Sequence, residues 1–209
     1  MIILLVALGF SYAYMKGLIG DGAKSTVSVN NCAKILLTES GSSISLSNTY
    51  PMSDNAGLNT TPYTFGVRST CSGNRGFKLY IVTISGNTLN ANIVKYALTP
   101  KGSKEILTSG KVGSLSSGSS DYNATALSQL GANVGTVDSI YFAYEDNIAL
   151  GEVTYYDLYM WVDSTATNSV ANQSFTAAVS VLEGTYFEYD VAVKMASLNT
   201  YDANVSCSN

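Results

Sequence analysis

Histidine is absent from all 209 residues of this chain, and charged residues make up only 12% of them. Without histidine the chain can form neither a Ser-His-Asp triad nor a Cys-His pair, and it has no imidazole for a zinc or iron site. A typical soluble domain is about 25% charged, so Ser, Thr, Asn and Tyr must supply most of the polar surface. Such uncharged surfaces are typical of secreted β proteins and of proteins that assemble.

The net charge of −4 gives no electrostatic reason to expect a nucleic acid or an anionic membrane surface as a partner. The cysteines show neither zinc nor redox spacing, so we also expect no cofactor. At this length the chain is expected to form one domain of ordinary size.

An unbroken apolar run covers residues 1–15 and ends at Lys16. As a helix these fifteen residues would reach about 22 Å, short of the roughly 30 Å hydrocarbon core of a bilayer. Ser11-Tyr12-Ala13 has the small-x-small pattern of a signal-peptidase site, which predicts cleavage between Ala13 and Tyr14. No Lys or Arg precedes the run, so an uncleaved anchor and a buried core helix remain as alternatives. A signal predicts a location outside the cell, secreted or on the cell surface.

Three cysteines, Cys32, Cys71 and Cys207, allow one disulfide and leave one thiol over. In an exported chain we expect Cys32 and Cys71 to form a structural disulfide, which would close a loop of about 40 residues and contribute about 4 kcal/mol. Cys207 lies in the polar end of the chain and could pair with another chain.

Alternation of apolar and polar residues predicts β-strands along most of the chain. Tyr63, Phe65 and Val67 alternate with polar residues and glycine, as in a half-buried strand. The segment 153–162 is apolar on both faces, which predicts a central strand. Other strands are predicted at 77–84, 92–98, 140–144, 175–181 and 187–195. The sequence also predicts a short helix at 123–131, a loop or flexible edge at 116–120, and tight turns at Ser85-Gly86-Asn87 and Glu183-Gly184.

These elements predict an all-β protein, a single β-sandwich or jelly-roll domain preceded by an N-terminal apolar helical signal or anchor segment. The predicted boundaries are a signal or anchor at 1–13, an extension and possible donor strand at 14–25, the sandwich at 26–200, and a polar tail at 201–209.

Two groups of polar residues are candidates for chemistry. Asp54, Asn55 and Asn59 offer oxygen ligands for calcium, although the spacing is not that of an EF-hand and a tight turn demands the same residue types. A second group could provide paired carboxylates for glycoside hydrolysis, although a solvated loop and an exposed strand face explain it more simply. Its members are Glu145, Asp146, Glu152 and Asp157.

Aromatic residues of the segment 153–162 could form a platform for stacking carbohydrate, although in a central strand they are more simply core. They are Tyr155, Tyr156, Tyr159 and Trp161. N-glycosylation sequons of the form N-x-[ST] occur at Asn59, Asn123, Asn172 and Asn204.

The stretch 8–14 (LGFSYAY) resembles the end of the signal in the TasA and camelysin family of bacterial matrix proteins. The stretch 155–163 (YYDLYMWVD), followed by 175–181 (FTAAVSV), is similar to the paired late strands of that family's jelly roll. The stretch 50–71, with its expected disulfide, departs from the family. The resemblance implies subunits that polymerise into extracellular fibres by donating an N-terminal strand, here 14 to about 29, to the next subunit. The protease activity described for camelysin-type members is not carried over, because this chain has no histidine to bind zinc.

The sequence therefore predicts a secreted structural subunit of an extracellular matrix fibre or surface filament, without catalytic residues, that assembles through β-strand exchange. Its expected partners are other copies of itself or other surface proteins, with membrane contact only through an uncleaved N-terminal segment. The alternative is a cell-surface adhesin or carbohydrate-binding β-sandwich held by that uncleaved segment.

Overall fold

Two antiparallel sheets, packed face to face around a common core, form the body of the protein. The computed structural model describes residues 33–37, 43–47, 49–70, 75–149, 151–167 and 170–184. The two α-helices within these residues, α1 (Asp54–Gly57) and α2 (Ala124–Val134), lie on the outside of the sheets. The expected all-β sandwich is therefore confirmed for this part of the chain.

One sheet has five strands in the order β1-β3-β8-β5-β6, and each neighbouring pair is antiparallel. The central strand β8 is buried on both faces along most of its length, which confirms the prediction from its sequence. The strands are β1 (Ala33–Leu37), β3 (Tyr63–Ser69), β5 (Val94–Pro100), β6 (Thr108–Lys111) and β8 (Val153–Val162).

The other sheet has four strands in the order β2-β9-β4-β7, again with antiparallel neighbours. Within this sheet, the pairing register of β4 with β7 shifts at two places. These irregularities bend β7, the long strand at the sheet edge. The strands are β2 (Ile44–Ser47), β4 (Arg75–Ile84), β7 (Val137–Ile148) and β9 (Ser174–Gly184).

Aromatic rings from both sheets meet in the core. Tyr156 of β8 stacks on Phe65 of β3 with 5.7 Å between ring centroids. The same tyrosine meets Phe77 and Tyr144 of the other sheet edge to face at 6.2 and 6.3 Å. Such pairs add about 0.5–1.5 kcal/mol each beyond the burial of area, so this cluster ties the two sheets together.

Each sheet also carries an apolar cluster on its outer face. On the four-stranded sheet, α2 packs Leu130 and Val134 over Tyr80 and Val82 of β4. On the five-stranded sheet, Met52 and Leu58, in the segment that contains α1, pack against Trp161 of β8. The short elements between strands therefore shield the outer faces that would otherwise expose large apolar side chains to water.

The predicted helix at 123–131 is confirmed and extends three residues further. Asn123 is its N-cap, and the side-chain oxygen accepts a hydrogen bond from the backbone N–H of Ala126 at 2.8 Å. Gly135 ends the helix with φ of 98°, a backbone conformation that favours glycine.

Two segments that were predicted from their turn-like or loop-like composition pair with neighbouring strands in the structure. Glu183 and Gly184, predicted as a tight turn, are the last residues of β9 and pair with Phe77 and Gly76 of β4. The Ser/Gly segment 116–120, predicted as a loop or flexible edge, pairs in part with the outer edge of β7 through bonds from Gly118 N to Ile140 O and from Phe142 N to Ser116 O. A polar composition indicates that the side chains of a segment face solvent. It does not prevent the backbone of that segment from pairing with a neighbouring strand.

Several predictions fall outside the described residues: the signal or anchor, the extension 14–25, the strand at 187–195 and the polar tail. Within the described residues, no helix combines the length and the hydropathy that crossing a membrane requires.

Candidate functional surfaces

The edge strands of the two sheets are the first candidate, because an edge presents backbone N–H and C=O groups to an incoming strand. In the described part of the chain, β2 pairs only with β9 and β6 pairs only with β5. In β2, Ile44 and Leu46 are buried in the core while Ser45 and Ser47 face solvent. This strand is therefore a half-buried edge without charge.

An edge strand of the other sheet, β6, ends in a charged contact. Lys111 Nζ lies 2.8 Å from Asp163 Oδ2, at the end of β8. The other carboxylate oxygen of Asp163 accepts the backbone N–H of Thr165 at 3.0 Å. The bond from Lys111, together with this backbone N–H, lowers the pKa of Asp163 to about 2.

The acidic residues proposed as a carboxylate pair lie in different parts of the sandwich. Glu145 pairs in register with Lys78 on the outer face of the four-stranded sheet. Asp157 lies on the outer face of the five-stranded sheet, where Thr64 Oγ1 donates to it at 2.5 Å and Gly102 N at 2.8 Å. The two carboxylates are thus on opposite sides of the core. Asp146 accepts the hydroxyl of Tyr144 at 2.9 Å, and Glu152 lies in the turn before β8.

The calcium candidates form the start and end of α1. Ser53 caps the helix, with its hydroxyl accepting the N–H of Ala56 at 3.3 Å. Asp54 Oδ1 binds Lys95 Nζ at 2.5 Å, and Asn59 Nδ2 donates to the carbonyl of Asn55 at 2.8 Å. Within the described residues, no three His, Cys, Asp or Glu side chains are grouped as metal ligands. The structure therefore places these residues in the contacts of a capped turn.

The four aromatic residues of β8 divide between the two faces of the sheet. Tyr156 points into the core, whereas the other three point outward. Trp161 is 2% exposed and Tyr159 is 8% exposed, because the segment around α1 covers them. Only Tyr155, at 39%, has a ring open to solvent. The interpretation as core is confirmed for three of the rings.

A small pocket of about 120 Å³ lies beside Trp161, between α1 and the β5–β6 hairpin. Its lining includes the ion pair of Asp54 with Lys95 and the exposed Ile106. The indole Nε1 of Trp161 is buried without a hydrogen-bond partner among the described residues. Buried N–H groups of this kind cost about 1–3 kcal/mol.

Three polar contacts were not predicted from the sequence: Lys95 with Asp54, Lys111 with Asp163, and the contact of Tyr80 with Asp121. Tyr80 Oη donates to Asp121 Oδ2 at 2.5 Å beneath the outer helix. The bond from Tyr80, and then the bond from Lys78, lower the pKa of Asp121. Partners in each pair are far apart in sequence, and no local motif joins them.

The remaining predicted sites divide by location. Asn59, Asn123 and Asn172 are exposed, and Asn172 has φ of 72°. Outside the described residues lie the predicted disulfide, the free thiol, the cleavage site and the last sequon: Cys32, Cys71, Cys207, Ala13, Tyr14 and Asn204.

Comparison with known proteins finds no family model, no curated protein and no solved structure that matches this chain. Function must therefore be inferred from the arrangement of the chain's own residues.

Proposed function

We propose that this protein is a secreted structural subunit of an extracellular fibre or surface filament, a jelly-roll subunit that assembles by β-strand exchange. In this proposal the N-terminal segment, from 14 to about 29, leaves its own subunit and pairs with an edge strand of the next. The proposal assigns the chain no catalytic role.

The observation that carries the proposal is the edge strand β2. Its apolar residues already face the core, while its outer edge has no second strand among the described residues. An added strand would satisfy the backbone groups of that edge and extend the buried face. Natural edge strands often avoid such addition with lysine or a bulge, and the sequence of β2, ISLS, contains neither charge nor proline.

Two further properties support this function. The surface is poor in charge, so repulsion between copies is weak. The apolar run at 1–15 fits an exported protein, and the resemblance to the matrix-protein family implies the same mode of assembly.

The test begins with a deletion. Removal of residues 14–25 from the exported protein is expected to leave it folded and monomeric, whereas the full mature chain forms elongated, SDS-resistant assemblies visible by electron microscopy. Assemblies of unchanged length from the deleted protein would refute strand donation by this segment.

A matched pair of substitutions tests which edge accepts the strand. Ser45→Lys places a cation on the exposed side of β2 and is expected to slow assembly strongly, because lysine on an edge strand is one of the features by which natural proteins oppose strand addition. Ser109→Lys places the same charge on the exposed side of β6 and is expected to assemble as the unmodified chain does. The reverse result would move the acceptor site to β6.

A protein that stays monomeric in all forms would instead favour the second candidate, a surface adhesin or carbohydrate-binding sandwich held by an uncleaved N-terminal segment. The exposed ring of Tyr155 is the observation that favours it.

A further inference from the structure

Tyr155 occupies an unusual place on the outer face of the five-stranded sheet. Its register partner on β3 is Gly66. A Cβ atom at Gly66 would lie 3.0 Å from Tyr155 Cε1, closer than most Cβ atoms approach a neighbour, so the ring would have to shift. The ring therefore leans over the space that the missing side chain leaves, and 39% of the residue remains exposed. Tyr155 is thus held on a regular strand with part of its side chain open to solvent.

Two positively charged side chains lie near this ring, and one of them, Lys101, sits over its face. Lys101 Nζ lies 5.1 Å from the ring centroid, and the backbone N–H of Lys101 donates to the carbonyl of Tyr155 at 3.0 Å. Arg68 pairs in register with Val153, so it is a diagonal neighbour of Tyr155 on the same face, and it is exposed. Asp157, a buried carboxylate on the same face, accepts hydrogen bonds from Thr64 and Gly102. Among the described residues neither Lys101 nor Arg68 forms a salt bridge, so both can bind an external anion.

We propose that Tyr155, Lys101 and Arg68 form a binding site for an acidic polysaccharide, a polymer that contains uronic acid residues. The apolar face of a sugar ring packs on the tyrosine ring, as other flat groups do on aromatic side chains. The carboxylate of the same or the next sugar binds the lysine ammonium and the arginine guanidinium. Lys101 is a long, exposed side chain that can swing from the ring to that carboxylate.

The chemistry of the site favours a polysaccharide over a nucleic acid. The protein has a net charge of −4, which opposes approach of a polymer with one phosphate charge per about 1.7 Å of duplex. A uronate polymer is less densely charged and needs only the one stacking ring and two cations found here. The inference rests on the proposed location outside the cell, where such polymers occur.

The experiment is affinity electrophoresis of the full exported chain in native gels that contain polygalacturonate, neutral dextran, polyglutamate or single-stranded DNA. Polygalacturonate is expected to retard the protein, and the other three polymers are not. Tyr155→Ala is expected to weaken binding about tenfold, and Tyr155→Phe to retain it, since stacking needs the ring and not the hydroxyl. Lys101→Ala is expected to weaken binding and to reduce its dependence on salt.

Two further variants complete the design. Tyr50→Ala removes another exposed tyrosine, 67% exposed, and is expected to bind as the unmodified chain does. Gly66→Ala keeps the ring but displaces it, and is expected to weaken binding with the protein still folded by circular dichroism. Equal binding by Tyr155→Ala, or equal retardation by polyglutamate, dextran or DNA, overturns the proposal.

This outcome is separable from that of the proposed function. Tyr155→Ala is expected to assemble into fibres normally, and the chain without residues 14–25 is expected to bind polygalacturonate normally. A full mature chain that binds polygalacturonate but does not assemble would therefore count against strand exchange alone. A full mature chain that assembles but does not bind would count against the polysaccharide site alone.

Discussion

The single residue Asp163 connects the end of β8 to the edge strand β6 and to the turn before β5. Its carboxylate holds Lys111 of β6 and the N–H of Thr165, and its own N–H donates to the carbonyl of Ile93 at 2.8 Å. These bonds join the end of the central strand to the short edge strand and to the turn before β5. Because the residue is buried, its charge depends on these partners.

We predict that Asp163→Asn lowers the free energy of unfolding by about 1–2 kcal/mol at pH 7, a value reduced by the partial exposure of Lys111 to water. The pKa of Asp163 is about 2 in the folded protein and 3.8 in the reference state. Its contribution is therefore complete above pH 3.8 and lost as the pH falls through 2. Urea unfolding between pH 7 and pH 2 measures this contribution. At the acid end of this range, the free energy of unfolding of the variant should depend less on pH than that of the unmodified chain. Asp54→Asn, whose carboxylate is mostly exposed, is the control and should change little.

Tyr80 provides a second test at the residue scale. Its ring is fully buried and its hydroxyl donates to Asp121. Tyr80→Phe keeps the packing but removes the donor, so we expect a loss of about 1–2 kcal/mol in the free energy of unfolding. Denaturant unfolding of the variant measures it. An unchanged midpoint would mean that water replaces the lost hydroxyl without cost.

The segment around α1 depends on a close approach to the sheet. A Cβ at Gly57 would lie within 2.3 Å of the Trp161 ring, so only glycine lets α1 rest on the indole. We predict that Gly57→Ala lifts this segment, lowers the free energy of unfolding by about 1–3 kcal/mol, and exposes Trp161. Since Trp161 is the only tryptophan, a red shift of fluorescence in the folded variant reports the movement directly.

Gly131 in α2 is the matched control at the element scale. It lies in the helix, and a Cβ there would meet no atom within 4 Å. Gly131→Ala is therefore expected to stabilise the protein by about 0.5–1 kcal/mol, because alanine loses less backbone entropy in a helix. Thermal unfolding of both variants should shift in opposite directions. A shift of both in the same direction would contradict the assigned packing of α1.

At the scale of the whole molecule, both sheets share one core. The cluster around Tyr156 contains rings from each sheet, so neither sheet can lose its packing alone. We predict that unfolding followed by Trp161 fluorescence, which reports on the five-stranded sheet, coincides with unfolding followed by far-UV circular dichroism. Two separated transitions would show that the sheets unfold independently.

Most of the described strands were predictable because their signal is local, but β1, β2 and β6 were not among the predicted strands. Side chains alternate with a period of two, so the half-buried strand at Tyr63 and the doubly buried strand at 153–162 could be recognised from a few residues each. The helix after Asn123 carried both a cap residue and apolar spacing. The end of β9 was predicted wrongly because Glu183-Gly184 has turn composition, and only its pairing with β4 holds it extended.

The candidate sites were less predictable. Four aromatic residues of β8 appeared equivalent in sequence, yet the structure covers Trp161 and Tyr159, buries Tyr156, and leaves Tyr155 open. That difference arises from α1 and from Gly66, which are distant in the chain. Likewise Glu145 and Asp157 are near one another in sequence but lie on opposite outer faces, because the chain crosses between sheets at the turn after β7.

The sequence by itself determined the lack of imidazole chemistry, the low charge and the β-strand character, because these follow from composition and from spacing along the chain. The tertiary structure alone decided which strands form the edges, which rings face solvent and which carboxylates find a cation. Those properties depend on contacts between residues that are far apart in sequence, and such contacts exist only once the two sheets have paired and packed.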